Sequence, residues 1–511
     1  MWSVSVGMFG CGSEGESGST DVPSTPTTSS PTDITDTDTD TDTDTDTDTD
    51  TDTDTGQQTT PLQETACALG PPDHIDPSEG VSFDADHMPC IEVTLDPADW
   101  IALQDDSWAG TEADAWDLAD ELSGQCSEPW PNEYEWYEAD LLADGLPVEQ
   151  IGVRRKGFLG SYWSDRPALK LKTDKFVDGQ FIGDTERITL NNNAGDETQV
   201  AACLTYEIYA MADYPAPRCN LAAVWVNGDS YGTYTHIEAL KVRFLEHAFG
   251  DGTGSLYEGV GTDFIAEWVT RFEPKTDDTD DTFAPLLAVA EALTAPDDQL
   301  VSELEAVVDL DRFITFWALE VLVNHTDAYG SSRNNFFVYF DPTDGDRAVL
   351  VPWGVDKLPV YADAPLSNHL FAELPRRLSR DAEMNARMAA ELERLATDVW
   401  DEDVLLASID RLREHAQTAV WPDGPSNVDT QVTQLRDWVT QRSTAIDALL
   451  AEGVPLGEAE PAPCEGDGGG GGKEQECPKD FDPSEPCKKD EKCTVGKTWW
   501  FCMGGTWQSW P

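Results

Sequence analysis

Apolar and polar residues alternate over much of the region between residues 90 and 240, a period that predicts β-strands separated by polar turns. Apolar runs on both sides of Asn227-Gly228-Asp229 predict a β-hairpin, because Asn-Gly adopts the left-handed backbone that a tight turn requires. A second hairpin is predicted from FFVYF and AVLVPW around the turn DPTDGD. Further strands are predicted in IEVTL, EYEWYEADLLADG, VEQIGVRRKG, ALKLKT and ERITLNNN.

Other stretches carry apolar residues every three or four positions, a spacing that predicts helices. One begins near Asp96, one covers TQVAACLTYEIYAMADY and is closed by Pro215, and one covers DRFITFWALEVLVNH. Two amphipathic helices are predicted at about residues 381–399 and 432–452. Strands with interspersed helices, without a regular βαβ repeat, predict an α+β fold.

Composition divides the chain into five segments. Residues 1–11 resemble the remnant of a signal sequence, and residues 12–65, with a strict Thr-Asp repeat at 35–55, form a predicted disordered stalk. Stacked aspartates leave calcium binding as an alternative for that repeat. Residues 66–454 are the predicted folded domain, 455–476 a Pro/Gly linker and 477–511 a small module rich in Cys and Trp. The module is too short for an apolar core, so we expect disulfides to stabilise it, with a zinc knuckle as the alternative.

Charge excludes several classes of partner. The chain has 32 Lys and Arg against 99 Asp and Glu, a net charge of −67. Such a protein repels nucleic acid and anionic lipid, so no nucleic-acid partner is expected. No apolar run approaches the roughly 18–20 residues that a membrane-spanning helix needs.

The cysteines point to an oxidising compartment. Eleven are present, and Cys11 ends the sequence GMFGC, which resembles the lipobox of bacterial lipoproteins. On that interpretation the protein is attached to the membrane by lipid on Cys11; a chance cysteine is the alternative. Ten cysteines then remain, five in the body and five in the tail, so one bridge would join the two. Cys203 and Cys219 flank a predicted helix and are candidates to pair.

Polar residues concentrate around the second predicted hairpin. Asp327, Asn334 and Asn335 precede it, and Asp356 follows it. An acid and an amide on a loop before a hairpin, with a second acid after it, is a layout that can hold a metal–phosphate group beside a hydroxyl nucleophile.

Motifs spread over about residues 91–450 resemble those of the CotH kinase family, atypical protein kinases similar to spore coat protein H. Each motif is short, but their order along the body makes the resemblance specific. The motifs are Val153-Arg154-Arg155-Lys156-Gly157, the Lys-rich strand ending in Lys170-Leu171-Lys172, Asn191-Asn192-Asn193, Pro215-Ala216-Pro217, the hairpin with Tyr231-Gly232-Thr233-Tyr234 and Glu238, Leu256-Tyr257, Asp327-Ala328-Tyr329-Gly330, Asn334-Asn335 with Tyr339, and Pro352-Trp353.

The resemblance implies an atypical protein-kinase-like fold that binds ATP with Mg²⁺ or Mn²⁺. Lys170 or Lys172 would bind the nucleotide phosphates, and Glu238 would orient that lysine or help to hold metal. Asp327 would accept the proton of the substrate hydroxyl, and Asn335 would help to hold metal. Simpler interpretations remain: a solvated Lys172, an Asp327 that ends a helix, and an Asn335 that serves a turn.

Two further features bear on this site. Arg154, in a dense basic cluster of so acidic a chain, indicates a nearby anion and is a candidate phosphate ligand. The family pattern Pro-Trp-Asp-x-Asp reads Pro352-Trp353-Gly354-Val355-Asp356 here. Gly354 replaces the first acid, so Asp356 becomes the candidate metal carboxylate; if it cannot reach the ion, the protein is a pseudokinase.

We therefore expect an extracytoplasmic kinase, lipid-anchored to the cell envelope or secreted, that transfers the γ-phosphoryl group of ATP to Ser or Thr of an envelope or coat protein. The alternative is a catalytically inactive surface-binding or structural lipoprotein. A hydrolase is disfavoured, because neither G-x-S-x-G nor H-E-x-x-H occurs.

Overall fold

A computed structural model describes residues 67–107, 134–157, 166–276, 283–356, 361–421 and 424–458, and the backbone of 492–495, 498–503 and 506–510. The predicted signal remnant, the stalk and most of the linker lie outside these residues. The described part is α+β, as predicted: a β-barrel, a second sheet, and helices that pack around them.

Seven strands close into a barrel in the order β1-β2-β3-β4-β5-β7-β6. Its interior is apolar, with Val153, Leu169 and Val224 fully buried. Every neighbouring pair is antiparallel except β1 and β6, which run parallel and close the barrel. The strands are β1 Cys90–Thr94, β2 Tyr137–Ala143, β3 Leu146–Lys156, β4 Ala168–Lys172, β5 Arg187–Asn191, β6 Cys219–Val226 and β7 Asp229–Ile237.

A second sheet has the order β11-β10-β8-β9 and contains the hairpin next to the candidate site. Its strands are β8 Leu256–Gly259, β9 Glu273–Pro274, β10 Phe336–Asp341 and β11 Arg347–Pro352. Near the C-terminus, β12 Lys492–Val495, β13 Thr498–Met503 and β14 Thr506–Trp510 form an antiparallel three-stranded sheet.

The helices build the larger core. The central one, Leu310–Leu322, is buried on all sides from Phe316 to Leu322, which explains the almost continuous apolar sequence of that part. Aspartates cap several helices at the N-terminus, including Asp96 and Asp381. The helices are α1 Pro97–Asp105, α2 Ala201–Met211, α3 Val242–Phe249, α4 Ala284–Ala292, α5 Leu300–Glu305, α6 Leu310–Leu322, α7 Tyr329–Ser332, α8 Glu373–Leu378, α9 Ala382–Arg394, α10 Glu402–Thr418 and α11 Val428–Glu452, with α9 continued by a π-helical turn, Leu395–Val399.

Two disulfides link the described residues. Cys203–Cys219 joins α2 to the start of β6 and confirms the predicted pair. Cys67–Cys90 ties the segment before the barrel to β1. The predicted bridge between body and tail lies outside the described residues. Among the helices described, none combines the length and the apolar character that crossing a membrane requires.

Candidate functional site

A row of cations lies on the outer face of β3 and β4. In the register of these strands Arg154 is opposite Lys170, and Gly152 is opposite Lys172. Successive side chains of a strand point to opposite faces, so the buried Val153, Leu169 and Leu171 direct their neighbours away from the barrel interior. The side chains of one outer face are therefore those of Arg154, Lys156, Lys170 and Lys172. The alternating sequence ALKLK predicts this for the two lysines of β4, and the pairing of β3 with β4 adds Arg154 and Lys156.

Lys156 is the cation that sequence reasoning missed. Its Nζ donates a hydrogen bond to Oδ1 of Asn191 on β5 and lies 6.0 Å from the centroid of the Trp353 ring. Burial lowers the pKa of Lys156 to about 8, while the carboxylates of Asp356 and Glu258 oppose that change. The Arg-x-Lys-Gly motif resembles a signature of the family, but the spacing of its residues does not predict that Lys156 interacts electrostatically with Asp356.

Lys170 has a lower pKa in the folded protein than Lys156. Burial lowers its pKa to about 7, and the nearby cations Arg154 and Lys275 add to the effect. Glu258 on β8 is the carboxylate that opposes it. Burial disfavours the Glu258 anion, but Lys275, whose Nζ lies 2.5 Å from Oε2, and Lys170 hold the pKa of Glu258 below its usual range.

Other predicted cations have local partners. Lys172 Nζ lies 3.1 Å from Oδ1 of Asp174, which neutralises it on its own strand end. The guanidinium of Arg154 stacks 5.1 Å from the Trp136 ring centroid. Of the two candidate lysines, Lys170 is thus the one that interacts electrostatically with Arg154, Lys275 and Glu258.

Asp327 lies on the loop between α6 and α7, as predicted. Its Oδ1 accepts hydrogen bonds from Ser332 Oγ (3.1 Å) and Asn334 Nδ2 (3.2 Å). Its carbonyl oxygen accepts one from Asn335 Nδ2 (2.9 Å). The residue is half-buried, and these hydrogen bonds fix the orientation of its carboxylate on the loop.

A buried network holds the far end of this loop. Asp263 accepts hydrogen bonds from Tyr329 Oη (2.8 Å), from Arg333 Nε (2.8 Å) and from the backbone N–H of Glu373 (2.8 Å). Arg333 has a left-handed backbone (φ +57°) and stacks against Phe371. The tyrosine of the Asp-x-Tyr-Gly motif is therefore a structural anchor.

Gly354 and Asn335 fit against each other. Gly354 has φ +57°, and a Cβ at this position would lie 2.5 Å from Asn335 Oδ1 and 2.6 Å from its Cγ. His325 Nε2 contacts the Gly354 carbonyl oxygen at 3.0 Å. The side chain of Asn335 thus fills the space that a side chain at position 354 would enter.

Asp356 connects the hairpin region with the cationic face. It acts electrostatically on Lys156 from the barrel and on Tyr206 from α2. Asp196, just before α2, is a second carboxyl in this area: burial raises its pKa to about 6, partly opposed by its Thr198 hydrogen bond and reinforced by Asp356. Tyr206, Ile237 and Val355 form the small apolar cluster beneath.

Glu238 has partners other than the predicted lysine. Its Oε1 lies 2.7 Å from Arg218 Nη2 and 3.6 Å from His247 Nδ1, and its Oε2 accepts the Arg218 backbone N–H at 3.1 Å. These contacts fix Glu238 where β7 ends. Its predicted role toward Lys170 or metal stays a prediction, whereas Glu258 is the carboxylate coupled to Lys170.

Oxygen atoms of Asp356, Asn334 and Asn335 are of the type that would hold a magnesium ion shared with phosphates. Within the described residues no group of three or more Asp, Glu, His or Cys side chains forms a preassembled metal cluster. Mg²⁺ bound with nucleotide needs only one or two carboxylates. Asp356 and Asn335 supply a carboxylate and an amide oxygen, and the buried Oδ1 of Asn334 has no hydrogen-bond partner in the described part of the chain.

Comparison with known proteins gives a match over this entire region. The family model described as CotH kinase protein matches residues 153–446, from the end of β3 to the last helix of the body. Invasin CotH3 and invasin CotH2 of Rhizopus delemar are 25% and 24% identical over 183 residues. The match covers 32% of this chain and only 30% and 31% of those relatives, so it spans less than a third of each.

Proposed function

The chain belongs to the CotH kinase protein family, and on that premise we propose that it is an extracytoplasmic protein kinase. It transfers the γ-phosphoryl group of ATP to a Ser or Thr hydroxyl of an envelope or coat protein. In the reaction a bond forms between the acceptor oxygen and the γ-phosphorus, the bond from that phosphorus to the β,γ-bridging oxygen breaks, and ADP leaves.

The observation that carries this proposal is the cationic face. Arg154, Lys156, Lys170 and Lys275 interact electrostatically in a chain whose net charge is −67. Burial, with repulsion by neighbouring cations, lowers the pKa values of Lys156 and Lys170, so these two lysines are stabilised when an anion enters. A triphosphate would supply that anion, and Lys170, with a pKa of about 7, would take up a proton as it binds.

Asp327 is the residue we assign as general base. It is partly exposed, and Ser332 and Asn334 hold its Oδ1 in a fixed orientation. A carboxylate so held accepts the proton of the acceptor hydroxyl as the oxygen attacks. Positioning and charge neutralisation, rather than a covalent intermediate, then provide the rate enhancement.

Asp356 and Asn335 are the residues we assign to the divalent ion, Mg²⁺ or Mn²⁺. When bound, the ion would neutralise charge on the phosphates. Glu258, which pairs with Lys275 and interacts electrostatically with Lys170, would help to hold these cations in place. Glu238 stays the residue predicted to orient the lysine or to hold metal. Arg154 and Lys156 complete the phosphate-binding set.

The location outside the cytoplasm rests on the disulfides. One bridge joins α2 to β6 and the other joins the segment before the barrel to β1, as expected for a protein folded in an oxidising compartment. Anchoring through lipid on Cys11 is part of the proposal.

Phosphoryl transfer from labelled ATP tests the proposal directly. Purified protein is incubated with Mg²⁺ or Mn²⁺ and a Ser-rich acceptor, and Asp327→Ala should lower incorporation by about 10²–10⁴-fold, the usual contribution of a general base. Asp229→Asn, in the exposed turn of the β6–β7 hairpin, is the matched control and should leave the rate unchanged. Incorporation that persists in Asp327→Ala would rule out this mechanism.

A second function is favoured by Gly354. The first acid of the family pattern is absent at Gly354, where Asn335 fills the space that a side chain would enter. If Asp356 cannot replace that acid, the protein is an inactive surface-binding protein. The relatives' name, invasin, is consistent with a surface role. Thermal unfolding with ATP and Mg²⁺ separates the two: a kinase is stabilised by millimolar nucleotide, and an inactive binder that has lost the site is not.

A further inference from the structure

Glu320 is a buried acid in the most apolar helix of the protein. It lies on α6 between Leu319 and Val321, and only 2% of its surface is exposed. Burial raises the pKa of Glu320 to about 8, while hydrogen bonds from the backbone of Tyr329 and Gly330 favour the anion. A leucine would pack here without the desolvation cost, so packing alone does not account for an acid at this position.

Both carboxylate oxygens of Glu320 receive backbone N–H groups from one short segment. Tyr329 N donates to Oε1 at 3.0 Å, and Gly330 N donates to Oε2 at 3.0 Å. These N–H groups stand at the start of the single-turn helix α7, where the backbone has no acceptor of its own. Glu320 therefore joins α6 to α7 across the loop that carries Asp327.

Gly330 is required by this contact. A Cβ on Gly330 would lie 2.9 Å from Glu320 Oε2 and 3.1 Å from the carbonyl oxygen of His369. Glycine lets the backbone approach the carboxylate closely enough for both hydrogen bonds. This explains the glycine of the Asp-x-Tyr-Gly motif, whose φ is not in the left-handed region.

Glu320 also contacts the beginning of the loop, through its backbone carbonyl. The N–H of His325 donates to the backbone carbonyl of Glu320 at 3.0 Å. Ser331 Oγ donates to the His325 carbonyl at 2.9 Å and accepts the Ala328 N–H at 3.0 Å. Asp327 thus lies between two points that are both attached to Glu320.

We propose that Glu320 is a positioning residue: its carboxylate fixes the backbone of residues 325–330 and thereby the place of the Asp327 carboxylate. The catalytic consequence rests on the proposed kinase function, whereas the effect on the backbone does not. Glu320 touches neither substrate nor nucleotide in this assignment, and acts only through the loop.

Amide hydrogen exchange of the peptide covering residues 323–335 tests the backbone effect without any ligand. In Glu320→Gln one oxygen is replaced by an NH₂ group, which cannot accept an N–H, so exchange at Tyr329 and Gly330 should accelerate about tenfold or more. Gly330→Ala should produce the same pattern with the carboxylate intact, because its Cβ pushes the backbone from Oε2. Asp144→Asn is the control: Asp144 is also buried and accepts a backbone N–H, from Cys90, but it lies in the barrel and should leave this peptide unchanged.

Kinetics test the catalytic effect. Glu320→Gln should lower kcat by about 10–100-fold with the KM for ATP changed less than about threefold, and Glu320→Asp, which keeps the carboxylate, should recover part of kcat. Unchanged exchange at 323–335 in a folded Glu320→Gln or Gly330→Ala protein would overturn the proposal, as would an unchanged kcat. If exchange is faster in the variants but the wild-type protein transfers no phosphate, the effect of Glu320 on the backbone stands and the proposed kinase function is wrong.

Discussion

At the scale of single residues, Gly354 shows why a missing acid is not simply a deletion. Its left-handed backbone suits glycine, and the Asn335 side chain occupies the place of a Cβ. The two positions are mutually adapted, so the metal carboxylate of this chain is sought at Asp356. The absence of an acid at position 354 of the sequence therefore does not show whether an acid introduced there would fit.

Gly354→Asp tests that adaptation. We expect it to lower the free energy of unfolding by about 1–3 kcal/mol, because it adds left-handed strain and a contact with Asn335. Magnesium-nucleotide affinity, measured by calorimetry, should not rise. Gly354→Ala introduces the same Cβ without charge, so the difference between the two variants isolates the carboxylate. A Gly354→Asp protein as stable as wild type, with tighter nucleotide binding, would contradict this account.

At this scale the sequence predicts proximity only where the contacts are local, and the roles of these residues stay predictions. Asp327, Asn334 and Asn335 lie within nine residues, and their mutual contacts follow from one loop. The coupling of Lys170 to Glu258 depends instead on residues 88 positions apart, on different sheets, and no local pattern predicts such a pair. Glu238 is predicted from the recognisable hairpin that it follows; the structure shows its contact with Arg218, and its role toward Lys170 or metal stays a prediction.

At the scale of secondary structure elements, α2 links the barrel to the candidate site. Tyr206 of this helix packs with Ile237 and Val355, and the Cys203–Cys219 disulfide attaches the same helix to β6. A shift of α2 would displace Tyr206 from the neighbourhood of Asp356. The disulfide thus contributes to folding stability and also holds Tyr206 in its place near Asp356.

Removal of this bridge should weaken nucleotide binding as well as stability. Closing a loop of this size contributes about 3 kcal/mol in the chain-entropy description, so Cys203→Ala/Cys219→Ala should lose stability of that order in denaturant unfolding. Cys67→Ala/Cys90→Ala removes a bridge of similar span, 23 against 16 residues, and is the matched control. It should lose comparable stability but keep nucleotide affinity. Equal affinities in the two double variants would argue against a role for α2.

The elements themselves were largely predictable, and their arrangement was not. Alternation and the Asn-Gly turn predicted the β6–β7 hairpin, since both signals are local. The parallel pairing of β1 with β6 closes the barrel across more than 120 residues and has no local signal. Helix α10 was not predicted, although Leu405, Ile409 and Leu412 are buried along one face; its high content of acids and arginines obscured that spacing.

At the scale of the whole molecule, the chain buries histidines and acids whose pKa shifts have opposite effects on folding stability as pH changes. His236, stacked on Phe83 at the end of the barrel, and His369 are both neutral in the folded protein, since burial lowers the pKa of each to about 3. Burial raises the pKa of Asp196 and of Glu320 instead. As pH falls from 6.5 toward the ordinary pKa of a carboxyl group, the two histidines therefore destabilise the fold while the two acids stabilise it, so their contributions to stability have opposite signs.

A variant isolates the histidine contribution. In the unfolded chain His236 takes up a proton near pH 6.5, but in the folded protein it stays neutral until about pH 3. Its contribution to stability is therefore complete above pH 6.5 and falls by about 1.4 kcal/mol per pH unit between 6.5 and 3. His236→Phe keeps a ring against Phe83 and removes the titration, so its unfolding free energy, measured in urea from pH 7.5 to 4.5, should gain on wild type by roughly 2–3 kcal/mol at the acid end. His74→Gln removes an exposed histidine and should follow the wild-type curve. Parallel curves for His236→Phe and wild type would mean that His236 is protonated in the folded state, stabilised by a carboxylate or by solvent that reaches the barrel end.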